Sequence, residues 1–96
     1  MQQYTTTEQT AKLIELGFEP KQAPADGAWA DDENYSIGEL IEMVPPRIQG
    51  WDLSIDYDAS WARWLVYYNP DTVSQATELV YALFNMIVKL KEKGVI

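Results

Sequence analysis

The chain has 96 residues, 47% of them apolar, with 15 acidic against 7 basic side chains and neither histidine nor cysteine. That size and apolar share fit one domain with a modest core. The missing residue types remove Ser-His-Asp and Cys-His catalysis, disulfides and His- or Cys-ligated metals, while a formal charge of −8 opposes binding to nucleic acid or to an anionic membrane.

Met1 to Thr5 lacks the basic segment and apolar run of a signal peptide, and no stretch approaches the roughly 20 apolar residues of a membrane helix. A soluble, cytoplasmic protein is expected. Thr5 and Glu8 have the spacing of a capping box, Ala11, Ile14 and Phe18 follow at helical intervals, and Gly17 supplies a left-handed stop, which predicts a helix over residues 6–16. Residues 19–34 carry Pro20, Pro24, Gly27 and the run Asp31-Asp32-Glu33-Asn34, and they read as a loop. Trp29 within it is expected to fold back over the core.

Ser36 and Glu39 form a second capping box, flanked by Tyr35 and Leu40 at the staple positions. Ile37, Leu40, Ile41 and Val44 make the buried stripe of that helix, and Pro45-Pro46 ends it. From Trp51 the period changes to two: Trp51, Leu53, Ile55 and Tyr57 alternate with Asp52, Ser54, Asp56 and Asp58. Residues 61–68 read as a second strand. Matching apolar faces in a hairpin sets Ile55 opposite Ala62, Leu53 opposite Trp64 and Trp51 opposite Val66, with Trp51 and Trp64 in the core. Trp61, Leu65 and Tyr67 then share the outer face with Asp52, Asp56 and Arg63, a face to be covered either by Trp29 and its loop or by a partner.

Asn69-Pro70-Asp71 breaks the strand, and Thr72 with Gln75 offers another capping box, so a long helix is predicted over residues 73–93 with Gly94 as its stop. Its main stripe is Ala76, Leu79, Val80, Leu83, Met86, Ile87 and Leu90. A second stripe, Thr77, Tyr81, Phe84 and Val88, widens the apolar arc so far that the helix needs cover on two sides. The expected architecture is a single α+β domain over residues 1–96, in the order α-α-β-β-α, with an antiparallel hairpin covered by the long C-terminal helix.

The segment Tyr35-Ser36-Ile37-Gly38-Glu39-Leu40-Ile41-Glu42-Met43-Val44-Pro45 resembles a group of small uncharacterised proteins of gut Bacteroidetes bacteria, their phages and mobile elements. The likeness extends through Thr10 to Phe18, the Leu53-Ser54-Ile55 and Trp64 to Tyr68 strands, and Glu78 to Ile96. It implies a bacterial or phage-borne accessory protein and carries no activity.

Several side-chain groups invite chemistry and fall short of it. Asp56-Tyr57-Asp58 opens like a calcium loop, but Trp61 stands where the loop needs glycine and Tyr67 where it needs a bidentate glutamate. Asp31-Asp32-Glu33 is a weak divalent-ion candidate beside its reading as a solvated loop. Asp56 and Asp58 with Trp61 and Trp64 outline a small carbohydrate-active site that lacks a cleft to desolvate one carboxyl group. No catalytic, cofactor-binding or metal residues are therefore assigned, and no cofactor is expected.

The leading expectation is a non-catalytic protein-interaction or accessory protein that binds a protein partner or itself, as a homodimer, and binds neither nucleic acid nor membrane. Its candidate interaction residues are Trp61, Leu65, Tyr67, Tyr81, Phe84 and Val88. The alternative is an acidic DNA mimic that inhibits a host DNA-binding enzyme, prompted by six acids and no base between Asp26 and Glu42.

Overall fold

The computed structural model describes residues 3–18 and 34–96, and the first helix within them is α1, Thr7–Glu15. Its cap is Thr6 rather than Thr5. The Gln9 N–H donates to Thr6 Oγ1 and the Thr6 N–H to Gln9 Oε1, a reciprocal capping box one residue beyond the predicted one. Thr5 is diverted to a buried hydrogen-bond chain. The Tyr35 N–H donates to Thr5 Oγ1 at 2.9 Å, Thr5 and Thr10 hydroxyls meet at 2.7 Å, and Thr10 Oγ1 donates to Asn34 Oδ1 at 2.6 Å. Because Thr10 spends its proton on Asn34, Thr5 must donate to Thr10.

Helix α2, Ile37–Met43, starts as predicted: Ser36 and Glu39 make the reciprocal box, and Tyr35 and Leu40 are both buried. Residues 3–5 run antiparallel to 35–37 through Thr5 N–H to Tyr35 O and Ile37 N–H to Gln3 O. The start of α1 is thereby tied to the start of α2. Trp29 and the Asp31-Asp32-Glu33 run lie outside the described residues, as does the 19–34 loop apart from Asn34.

Two short strands follow, β1, Arg47–Ile48, and β2, Trp51–Asp52, paired antiparallel across a turn in which Gln49 and Gly50 both have positive φ. The chain then enters a three-stranded antiparallel sheet of β3, Ser54–Asp58, β4, Arg63–Asn69, and β5, Thr72–Ala76, in the order β3-β4-β5. The predicted hairpin is present with a different register. Ile55 faces Val66 instead of Ala62, because the turn takes the four residues 59–62, with the Ser60 N–H on Asp58 Oδ1 and Ala62 at φ 49°. A shift of four is even, so the side chains from Ser54 to Asp58 and from Arg63 to Tyr67 keep their predicted faces, whereas Trp61 and Ala62 fall in the turn.

Trp51 departs from expectation. The strand breaks at Leu53, whose N–H donates to Pro46 O, and Trp51 pairs with Ile48 and stays 52% exposed rather than entering the core opposite Val66.

β5 stands where the sequence predicts the start of the long helix. Thr72 and Gln75 do not cap a helix; residues 72–76 pair with β4, and the helix, α3, Leu79–Glu92, begins after them without a side-chain cap. The β-branched Thr72 and Val73 suit a strand, and β4 offers open backbone groups that only a third strand satisfies. All the main-stripe residues from Leu79 to Leu90 are buried, and Ala82 joins them. α3 lies between the sheet and α2, which is the two-sided cover its wide apolar arc requires. Ser74 Oγ donates to Ala82 O at 2.8 Å, fixing the helix over the face that also carries Val66 and Tyr68. Tyr68 Oη donates to Pro45 O at 2.6 Å and joins that face to the end of α2. Gly94, at φ 74°, ends α3 as predicted.

Candidate interaction surface

Alternation along the strands sends Ile55, Val66, Tyr68 and Ser74 toward α3 and leaves Asp56, Asp58, Arg63, Leu65, Tyr67, Val73 and Gln75 on the opposite face of the sheet. α3 packs on the first face, and α2 packs on α3. Among the described residues, the second face is therefore held in place from behind by the whole core.

Its aspartates meet neighbours on the same face. Tyr67 Oη donates to Asp56 Oδ2 at 2.5 Å, and this hydrogen bond, with the carboxylate's charge behind it, raises the Tyr67 phenol above its ordinary pKa. Arg63 lies 3.6 Å from Asp58 and places its guanidinium 5.8 Å from the centre of the Trp61 ring. Asp58 also accepts from the Ser60 N–H, so the two aspartates that resembled the opening of a calcium loop are engaged in building the hairpin. Among the described residues, no group of three or more acidic side chains could hold a metal ion.

Beside Tyr67 the face continues into a shallow apolar groove of about 290 Å³ lined by Trp51, Tyr67, Tyr68, Asn69, Pro70 and Val73. The turn from β4 to β5 forms one end of it, with Asn69 Oδ1 accepting the Asp71 N–H. Trp51 reaches the groove because β2 lies against β4.

The structure brings Leu65 and Tyr67 onto one face as expected from alternation, and sets Trp61 in the hairpin turn, 72% exposed. Tyr81 and Phe84 lie on α3, half-buried and packed against the core, and Val88 is half-buried on the same helix. The six candidates therefore fall into two groups on different layers. Trp51, Pro70 and Val73 line the groove, although the sequence assigns Trp51 to the core, Pro70 to a strand break and Val73 to the long helix. The signal for Val73 was present in its β-branched neighbourhood, whereas the exposure of Trp51 depends on a strand break that alternation conceals.

Of the six acids between Asp26 and Glu42, Asp26, Asp31, Asp32 and Glu33 lie outside the described residues, and Glu39 is committed to capping α2. No helix of the described residues is long and apolar enough to cross a membrane. No family model matches the chain, and no curated protein or solved structure shows significant similarity to it.

Proposed function

We propose that this protein is a non-catalytic interaction module, a bacterial or phage accessory protein, that meets a protein partner through the sheet face opposite α3. The supporting observation is the grouping of Trp51, Leu65, Tyr67, Pro70 and Val73 on a face whose reverse side is the packed core. Aromatic anchors in a shallow apolar recess, on a sheet face that carries Asp56, Asp58 and Arg63 further along its strands, have the anatomy of a protein contact. An acidic chain without clustered bases meets its partner through aromatic and acidic surface.

The test compares capture from a bacterial lysate by the wild type, by Leu65→Lys and by Asn85→Lys, the last placed on an exposed position of α3. Circular dichroism first establishes that each variant is folded. A partner retained by wild type and Asn85→Lys but lost with Leu65→Lys is the expected result. Equal retention by all three contradicts the proposal.

A further inference from the structure

The two edges of the three-stranded sheet are treated differently. At β5, Lys89 reaches across from α3 and donates to the Val73 carbonyl, occupying an acceptor on that strand. At β3, Ser54–Asp58, no strand, helix or side chain among the described residues takes the backbone groups directed away from β4; the Asp58 carbonyl is used within the hairpin turn by the Trp61 N–H, and just before the strand the Leu53 N–H is held by Pro46 O. An edge of this kind can accept a further strand.

The side chains of β3 state what that strand must carry. On the face opposite α3, Asp56 and Asp58 stand two residues apart; Asp58 shares its charge with Arg63 3.6 Å away and Asp52 is paired with Arg47 at 2.8 Å, so Asp56, which accepts from Tyr67 Oη, is the acid of β3 left without an ion-pair partner among the described residues. On the α3 side stand Ile55, half-buried against the core, and Tyr57, 52% exposed with its ring 5.0 Å from that of Trp64. A second copy of the chain is a poor occupant. Antiparallel self-pairing centred on Asp56 or on Tyr57 sets aspartate opposite aspartate, and like charges directly opposed are destabilising.

We infer that β3 accepts an extended segment of a partner protein in which Lys or Arg alternates with apolar residues. The basic side chains lie beside Asp56 and Asp58, the apolar ones cover Tyr57 and extend the core past Ile55, and main-chain hydrogen bonds continue the sheet. The inference rests on the interaction-module reading and gives the partner its chemistry.

The probe is a blocked synthetic peptide of alternating lysine and valine, with an alternating glutamate and valine peptide as control. Each is titrated into the full chain while backbone amide shifts and hydrogen exchange are followed by NMR. The lysine peptide is expected to move the amides of residues 54–58 and slow their exchange, to weaken with added salt, and to bind Asp56→Lys about five- to tenfold less tightly. Asp56 is exposed and that variant gives up only the hydrogen bond from Tyr67 Oη, so a dispersed spectrum first establishes that it is folded. Equal binding of the glutamate peptide, shifts confined to the Trp51 groove, or β3 protection that grows with protein concentration in the absence of peptide overturns the inference. So does a lysine peptide that leaves β3 unmoved; if Leu65→Lys still abolishes partner capture, the interaction face stands without strand addition.

Discussion

Replacing Thr5 with valine probes the chain of buried hydroxyls that ties α1 to α2. Valine keeps the shape of threonine and removes only the hydroxyl, which is 2% exposed as part of Thr5 and serves as acceptor for the Tyr35 N–H and as donor to Thr10 Oγ1. Leaving a buried N–H unsatisfied costs about 1–3 kcal/mol. The added methyl group returns at most about 0.8 kcal/mol by burial, so a net loss of about 1–2 kcal/mol is expected. Urea denaturation with an unchanged slope measures it. Thr10→Val breaks the same contact from the other side, and the double variant should lose less than the sum of the singles by at least about 0.5 kcal/mol, as coupled neighbours do. A Thr5→Val loss below about 0.5 kcal/mol, or strict additivity, would refute the hydroxyl chain as a structural tie.

Leu83→Ala empties a fully buried position between α2 and the sheet, and denaturation should show a loss of about 2–5 kcal/mol; a loss near zero would mean that α3 turns another face to the core. Phe84→Asp should destabilise the fold by about 1–3 kcal/mol, because Phe84 packs against the core, and should leave the sedimentation of the protein unchanged. A wild-type dimer dissolved by that substitution would instead assign Tyr81, Phe84 and Val88 to self-association. Burial pushes the Tyr68 phenol from 10.0 up to about 12. The protonated form is therefore favoured by folding, and its contribution, complete below the unfolded value, is lost as pH rises from about 10 to about 12. Denaturant titrations across that window should show stability falling, and a level profile would contradict the buried phenol.

Local signals were legible wherever one segment contained both halves of an interaction. Ser36 and Glu39 are three residues apart and close on each other, so the start of α2 could be read directly. The α3 stripe from Leu79 to Leu90 was legible for the same reason, since a helix face is set by spacing alone. Thr72 and Gln75 show where this reasoning ends. The Thr-x-x-Gln spacing suits a cap, the Thr72 to Ala76 alternation suits a strand, and the choice is made by β4, whose open edge takes the segment as β5. Register failed in a milder way. Apolar faces fix parity, and parity survived, but the four-residue turn depends on Asp58 binding the Ser60 N–H and on Ala62 adopting positive φ. The candidate surface inherits both outcomes: Leu65 and Tyr67 follow from alternation in β4, whereas Val73 joins them only because β5 exists, and Trp51 only because the chain breaks at Leu53.

The proposed contact surface is the sheet face opposite α3. Its most direct test places a photoreactive benzophenone side chain at position 65, in the middle of that face, or at position 85, on the exposed side of α3, and irradiates each protein with its captured partner. A partner crosslink from position 65 and none from position 85 is the predicted result; crosslinking from position 85 alone would place the contact on the helix layer and contradict the account.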